Sequence, residues 1–276
     1  MARRVPGIIR RLKRTGAAGV VTVAVFYGLW YWQERDYVER LSWMGVPQAQ
    51  QWYAWQTLNR TLRHQGFLIG WSDLRANPLW STYRLTPVEG VSVEPRPGHF
   101  ESDWRILWPA GPDEYTGSGY DRGHMAPNYA IAAVHGREAQ LDTFLMSNIS
   151  PQRPDLNRRV WQRLEAEVIE NFTERLGTLW VTTGPIFDDR ITRMASWIEI
   201  PDAFYKILVA PGDGRTPVRM LAFIVPQGVR GDEPLERFVV SVNEVEARTG
   251  LDFFSELPEE AERALEARIR PWDWGL

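Results

Sequence analysis

The stretch from Gly119 to Glu165 constrains this chain more than any other, because it holds a base, a phosphate-pairing cation and hard oxygen ligands at spacings that two strands and a helix can bring together. At its centre Gly-Tyr-Asp-Arg-Gly-His ends on His124. Gly123 lets the backbone turn so that the side chains of Arg122 and His124 can serve one pocket. Phe144 to Ser150 alternates apolar and polar residues, predicting a short strand that stops at Pro151. After Pro154, Asp155 reads as a helix cap, and Arg158 to Leu176, free of proline and glycine, predicts a long helix.

On that helix Asn157, Trp161 and Glu165 stand at i, i+4 and i+8, which is one face. Asn157 and Glu165 lie roughly 12 Å apart along the axis, so they do not make neighbouring ligands of one ion, and Glu165 is expected to act through a bridging water. The Asn157 amide oxygen is a hard ligand. With no cysteine in the chain, such a site suits Mg²⁺ far better than Zn²⁺. Imidazole titrates near 6.5 when unperturbed, and Arg122, two residues earlier, is expected to hold His124 below that value. Taken singly, each residue has a plainer reading: His124 as a hydrogen-bonded side chain, Asn157 as a cap, Glu165 as the partner of a helix arginine, Trp161 as packing. Taken together they supply what phosphodiester hydrolysis requires, a base working near neutral pH and a cation or arginine to offset transition-state charge. His64, His99 and His135 fall outside any such constellation.

Asp121-Arg122-Gly123-His124, Ser147-Asn148-Ile149-Ser150-Pro151-Gln152, Asp155-Leu156-Asn157, Trp161 and Leu164-Glu165 together resemble the DNA/RNA non-specific endonucleases of the ββα-metal superfamily. The likeness extends to Arg96-x-x-x-Phe100-x-x-Asp103, Thr183-Gly-Pro-Ile-Phe187, Ser241 to Glu246 and Thr249 to Phe254, covering residues 60–258. The resemblance implies His124 as general base, Asn157 as the direct protein ligand of Mg²⁺ (with Mn²⁺ as a substitute), and Glu165 acting through metal-bound water. It also implies Arg122 and Arg96 on the phosphate, with Asn148 and Arg158 as further substrate contacts. DNA and RNA are the implied substrates, cut to 5′-phosphate and 3′-hydroxyl ends, and a homodimer is a further implied partner. The alternatives are a nuclease-fold binding or scaffold module without activity, and a hydrolase of smaller phosphodiesters.

The remaining sequence predicts an α+β domain: an antiparallel sheet with packed helices and a ββα-metal finger as active site, preceded by an N-terminal transmembrane helix. Strands are expected at 66–73, 79–85, 179–183, 204–209 and 220–225, and helices at 242–248 and 258–270. Residues 1–15 carry six basic side chains and no acidic one, and 16–33 is an uncharged run with aromatic residues at its far end. By the positive-inside rule it reads as a signal anchor that leaves the nuclease domain outside the cytoplasmic membrane, in a bacterial periplasm or beyond. A cleaved signal peptide, a buried core helix and a mitochondrial inner-membrane anchor are the competing readings. Residues 34–57 read as a connecting segment, with a helix interrupted near Gly45–Pro47, and 58–276 as the nuclease domain. The net charge is −3, and −9 without the six N-terminal basic residues. That excludes a broad basic face of the kind a stable nucleic-acid binder uses, leaving a local groove built from Arg96, Arg122, Arg158, Arg159 and Arg163.

Overall fold

Among the described residues, eleven strands and a long helix set the frame of the protein. In chain order the strands are β1 (Gln48–Ala49), β2 (Arg60–His64), β3 (Phe67–Ser72), β4 (Asn77–Leu85), β5 (Asp121–His124), β6 (Ile149–Gln152), β7 (Leu179–Ile186), β8 (Ala203–Ala210), β9 (Arg219–Pro226), β10 (Val239–Val240) and β11 (Leu251–Asp252). The structure, a computed structural model, describes residues 7–107, 111–188, 190–214 and 216–276, with side chains of the first helix described from residue 22. Seven strands form one antiparallel sheet in the order β10-β9-β8-β7-β4-β3-β2, while β1 pairs with β11 and β5 with β6. The α+β class expected from the sequence is the class observed.

The chain divides into two compact units, Met1–Arg40 and Leu41–Leu276. The described residues of the first are helical throughout, in a 35-residue helix, Gly7–Leu41, whose last residue belongs to the second. The transmembrane anchor expected at 16–33 lies partly outside the residues whose side chains are described, and among the described residues no helix is long and apolar enough to cross a membrane. The described uncharged run, 22–33, continues in the same helix into Glu34, Arg35, Asp36, Glu39 and Arg40, with ion pairs Arg35–Glu39 and Arg40–Asp36. Side chains 7–21, and residues 1–6 altogether, lie outside the described residues, and the basic segment 1–15 falls there. The segment 34–57, read from sequence as a connector, is itself divided: the helix runs to Leu41, and Gln48–Ala49 is already paired with Leu251–Asp252.

One helix, 154–176, packs across the sheet and positions the site. It begins on proline, whose missing N–H costs nothing at a first turn, and ends at Gly177 with φ +80°. Asp155, expected as the cap, lies inside the first turn and its side chain makes no capping hydrogen bond. Leu156, Val160, Trp161, Leu164, Val168, Ile169 and Phe172 are buried in the core shared with Leu179, Val181, Phe204, Leu208 and Phe223. At about 1.5–3 kcal/mol for each large apolar side chain, this burial is enough to hold the helix rigidly on the sheet. Two stretches, Leu156–Trp161 and Glu167–Phe172, are wound as π-turns. Face neighbours there are five residues apart rather than four, so Trp161 rotates into the core against Phe204 at 5.8 Å while Asn157 shares its face with Gln162.

Candidate active site

The β5–β6 ribbon sets Asp121 opposite Gln152, Arg122 opposite Pro151, Gly123 opposite Ser150 and His124 opposite Ile149. Strand β6 therefore runs through Pro151 instead of stopping before it, and Met146–Asn148, part of the expected strand, is a 3₁₀ turn. A two-stranded ribbon tolerates the proline because its missing N–H leaves no third strand unpaired. Gly123 is required by close approach rather than by a left-handed turn: a Cβ there would stand 2.2 Å from Oε1 of the buried Gln152.

His124 at the end of β5 sits against two rings, Phe100 at 5.4 Å and Phe144 edge-on at 5.1 Å. Its Nε2 is buried without a hydrogen-bond partner. Burial, and then the positive charge of Arg96, push the imidazole down to about 3, so it is neutral throughout the physiological range. The arginine responsible is therefore Arg96, not Arg122 as the spacing suggested. The Arg96 guanidinium lies over Phe144 at 5.2 Å and over Phe100 at 5.9 Å. Arg122 lies over Phe100 at 5.5 Å and Tyr115 at 5.8 Å, and donates from Nε to the Pro112 carbonyl at 3.0 Å.

The loop that carries Arg96 and Phe100 is fastened by a buried polar knot that sequence reasoning did not find. Glu101 N–H donates to the Phe144 carbonyl at 3.0 Å, and Met146 N–H returns a bond to the Glu101 carbonyl at 2.9 Å. Ser147 donates to Asp103 Oδ2 at 2.6 Å, while Arg105 pairs with the same carboxylate. Burial would raise the Asp103 carboxyl, but the bonds from Arg105 and Ser147 outweigh it and hold it at about 2. Buried His64 closes the knot, 3.3 Å from the Ser147 hydroxyl. The only sequence signal for this arrangement was Asp103 in the Arg96-x-x-x-Phe100-x-x-Asp103 pattern.

Asn157 and Glu165 form the helix wall, and Asp121 from β5 organises it. Asn157 donates from Nδ2 to Asp121 Oδ2 at 3.0 Å, and Arg158 donates to the same carboxylate at 2.7 and 2.5 Å. Partial burial would raise the Asp121 carboxyl, yet the Arg158 and Asn157 bonds bring it below its usual value. Because a carboxylate only accepts, it fixes the amide with Oδ1 turned away from it. Glu165 lines the same cavity with Oε1 buried and unpartnered. Burial lifts its carboxyl to about 7, against the opposing charge of Lys206.

The cavity, about 420 Å³, is lined by Arg96, Arg122, His124, Asn157, Arg158 and Glu165, together with Asn128, Tyr129, Gln162 and Glu170. Asn148 is not among these residues. It is fully buried, donating to the carbonyls of Ala126 and Thr143 at 3.0 Å each and accepting from Ala126 N–H at 2.8 Å. It therefore holds the backbone just after His124 and has no free group for substrate. Arg159 and Arg163, expected in the basic groove, donate instead to the carbonyls of Arg230 and Glu233.

A neutral imidazole, a set of guanidinium groups and the oxygens of an amide and a carboxyl thus surround one open cavity. The model of the DNA/RNA non-specific endonuclease family matches residues 51–260, and the chain belongs to that family. It is accordingly an enzyme, a phosphodiester hydrolase. Nuclease C1 of Cunninghamella echinulata var. echinulata is 36% identical over 213 residues, 71% of this chain and 83% of that protein. Human mitochondrial endonuclease G is 32% identical over 154 residues, 51% of this chain and 50% of that one, so the likeness spans half of the human protein. The fold is similar to a chain in the crystal structure of the EndoG/EndoGI complex, which concerns the mechanism of EndoG inhibition. That likeness has a TM-score of 0.67 at 26% identity and covers 79% of this chain and 91% of that chain.

Proposed function

We propose that this chain is a Mg²⁺-dependent endonuclease that cuts DNA and RNA with little sequence preference, with His124 as general base and Asn157 as the metal ligand. The observation that carries this reading is the placing of an unpartnered, neutral imidazole nitrogen in the same cavity as an amide whose nitrogen is already engaged. The residues suit a hard divalent cation: Asn157 Oδ1 is the amide atom left over, and Glu165 Oε1 is a buried oxygen with no other partner. Among the described residues no group of three or more His, Cys, Asp or Glu converges, so the ion would take Asn157 and complete its shell with water. When bound, the metal offsets the negative charge that builds on the phosphate.

The protein's own groups account for the rest of the reaction. Arg96 and Arg122, braced over aromatic rings, grip the phosphate oxygens, since a guanidinium pairs with two of them at once. His124 Nε2 takes a proton from the attacking water, and its low basicity ensures that it arrives unprotonated. Tyr129, exposed at the cavity, offers a face on which any base can stack, which fits cleavage indifferent to sequence. The test is incubation of the protein with plasmid and with RNA, with Mg²⁺ and with chelator. Both polymers should be cut only with the metal, and a His124→Ala protein should fold yet lose activity. Undiminished cutting in chelator would overturn the metal assignment, and intact polymers under all conditions would overturn the function.

A further inference from the structure

We propose that Asn128 is a specificity-determining residue whose side-chain nitrogen donates to the phosphate next to the one being cut, so that the enzyme favours nucleic-acid chains over isolated phosphodiesters. This rests on the endonuclease reading above and deepens it. Asn128 opens the helix Asn128–His135, is half-buried, and lines the cavity that holds His124.

A relay of hydrogen bonds behind the cavity decides which end of the Asn128 amide is free. Arg137 Nη1, which can only donate, gives hydrogen bonds to Gln140 Oε1 and, at 2.8 Å, to the Pro95 carbonyl. Gln140, 1% exposed, therefore turns its Nε2 the other way, where it donates to the Glu94 carbonyl at 3.1 Å and to Asn128 Oδ1 at 3.0 Å. A guanidinium cannot accept and a carbonyl cannot donate, so a flipped Gln140 amide would lose both Arg137 and Glu94. The Asn128 oxygen is thereby engaged. Among the described residues Asn128 Nδ2 has no partner, and it is not buried, so the side-chain atom that Asn128 offers in the cavity is a donor. The same relay fastens the backbone of Glu94 and Pro95, directly before Arg96, and Arg137 Nε also pairs with the Glu94 carboxylate at 3.4 Å. The Arg96 guanidinium and the Asn128 amide thus share one support.

Phosphate oxygens only accept, and asparagine is among the side chains that hold a nucleic-acid backbone without reading its sequence. Arg96, Arg122 and Arg158 line the cavity and favour an anion there over a base edge. In the reading above the phosphate being cut already has Arg96, Arg122 and the cation. Tyr129, the next residue of the same helix, is exposed at the cavity and offers its ring to a flanking base. A nucleotide stacked there brings its own phosphate, and the adjacent Asn128 supplies the donor for it. A lone phosphodiester has no second phosphate and gains nothing from this contact.

The test, on the full-length protein, uses a short oligonucleotide whose links are neutral methylphosphonates except for one cleavable phosphodiester. Restoring the negative charge to one neighbouring link, on the 5′ and the 3′ side in turn, should raise the wild-type kcat/KM on one side. Asn128→Ala removes the donor, and that gain should shrink about tenfold, the size of a hydrogen bond to a charged group. Asn128→Asp keeps the oxygen that Gln140 requires but turns an anion toward the cavity, so the neutral link should become the better substrate. Because the gain is a ratio within one protein, a merely structural loss leaves it unchanged, and that result overturns the proposal. The same ratio read in binding affinity with chelator present does not depend on cutting. If the wild type cuts nothing with Mg²⁺, the endonuclease reading fails, while the binding ratio still decides whether Asn128 holds a phosphate. Should Asn128→Ala fail to fold, Asn128→Asp, which keeps the bond from Gln140, decides alone.

Discussion

Asp121→Asn isolates the claim that a β-strand carboxylate selects which atom of Asn157 faces the cavity. Both Asp121 oxygens can only accept, so the Asn157 amide has one acceptable orientation, with Nδ2 on Asp121 at 3.0 Å. An asparagine at 121 has a donor and an acceptor, and the amide of residue 157 can then flip and present nitrogen to the cation. A hydrogen bond to a charged group contributes about 1.5–3 kcal/mol and a neutral one about 0.5–1.5 kcal/mol. The orienting preference thus weakens by about 1–2 kcal/mol, or roughly 5–30-fold in the population that offers oxygen. The exposed Arg158 pair should matter little, because solvent screens it. In plasmid cleavage against increasing Mg²⁺, Asp121→Asn should need about tenfold more metal for half-maximal rate and regain much of the wild-type rate at saturation, in keeping with outer-sphere partners of metal ligands. A half-saturating concentration within twofold of the wild type would refute the orienting role.

Four further outcomes are expected. Asn157→Ala should lower activity by orders of magnitude and weaken the response to Mg²⁺, and an unchanged metal titration would show that the ligand lies elsewhere. His124→Ala should keep fold and DNA binding while the rate falls by about 10²–10⁴, whereas cutting within tenfold of the wild type would remove His124 as the base. Gly123→Ala puts a methyl 2.2 Å from a Gln152 oxygen that has nowhere exposed to go, so stability should fall by roughly 1–3 kcal/mol and activity with it. A wild-type melting temperature would contradict that packing. In Glu266, burial and then the charge of Glu246 raise the carboxyl to about 8, so the stability it contributes is whole below about 4.5 and is lost as pH rises toward 8. Glu266→Gln should therefore raise the melting temperature at pH 8 and leave it unchanged at pH 4, and an equal shift at both would break the argument.

The sequence made the site legible where residue type alone dictates chemistry, and obscured it where burial decides. His124, Arg122, Arg96, Asn157, Arg158 and Glu165 all reach one cavity, because a base, arginines, an amide and a carboxylate on a strand–strand–helix frame have few other arrangements. Asn148 was misassigned because an asparagine's hydrogen bonds to carbonyls distant in sequence leave no pattern in the string. The helix face was misjudged at Trp161, since nothing in the composition of Leu156–Trp161 announces a π-turn. β2 went unnoticed because Arg60–His64 is mostly polar, its sidedness appearing only when Leu62 and His64 turn inward.

Burial also explains why this site needs more charge than its chemistry uses. The same desolvation that keeps His124 unprotonated, as the proposed base has to be, works against ionisation of Glu165. One environment cannot favour the neutral form of the imidazole and the charged form of the carboxylate unless a local field separates them. The charge of Arg96 reinforces the neutrality of the imidazole, whereas the charge of Lys206 opposes the rise of the Glu165 carboxyl. Both residues are cations, and one favours a neutral form and the other a charged form because the imidazole is a base and the carboxyl an acid. A chain of net charge −3 can therefore act on an anionic substrate through a local set of cations, Arg96, Arg122 and Arg158, placed at the cavity wall.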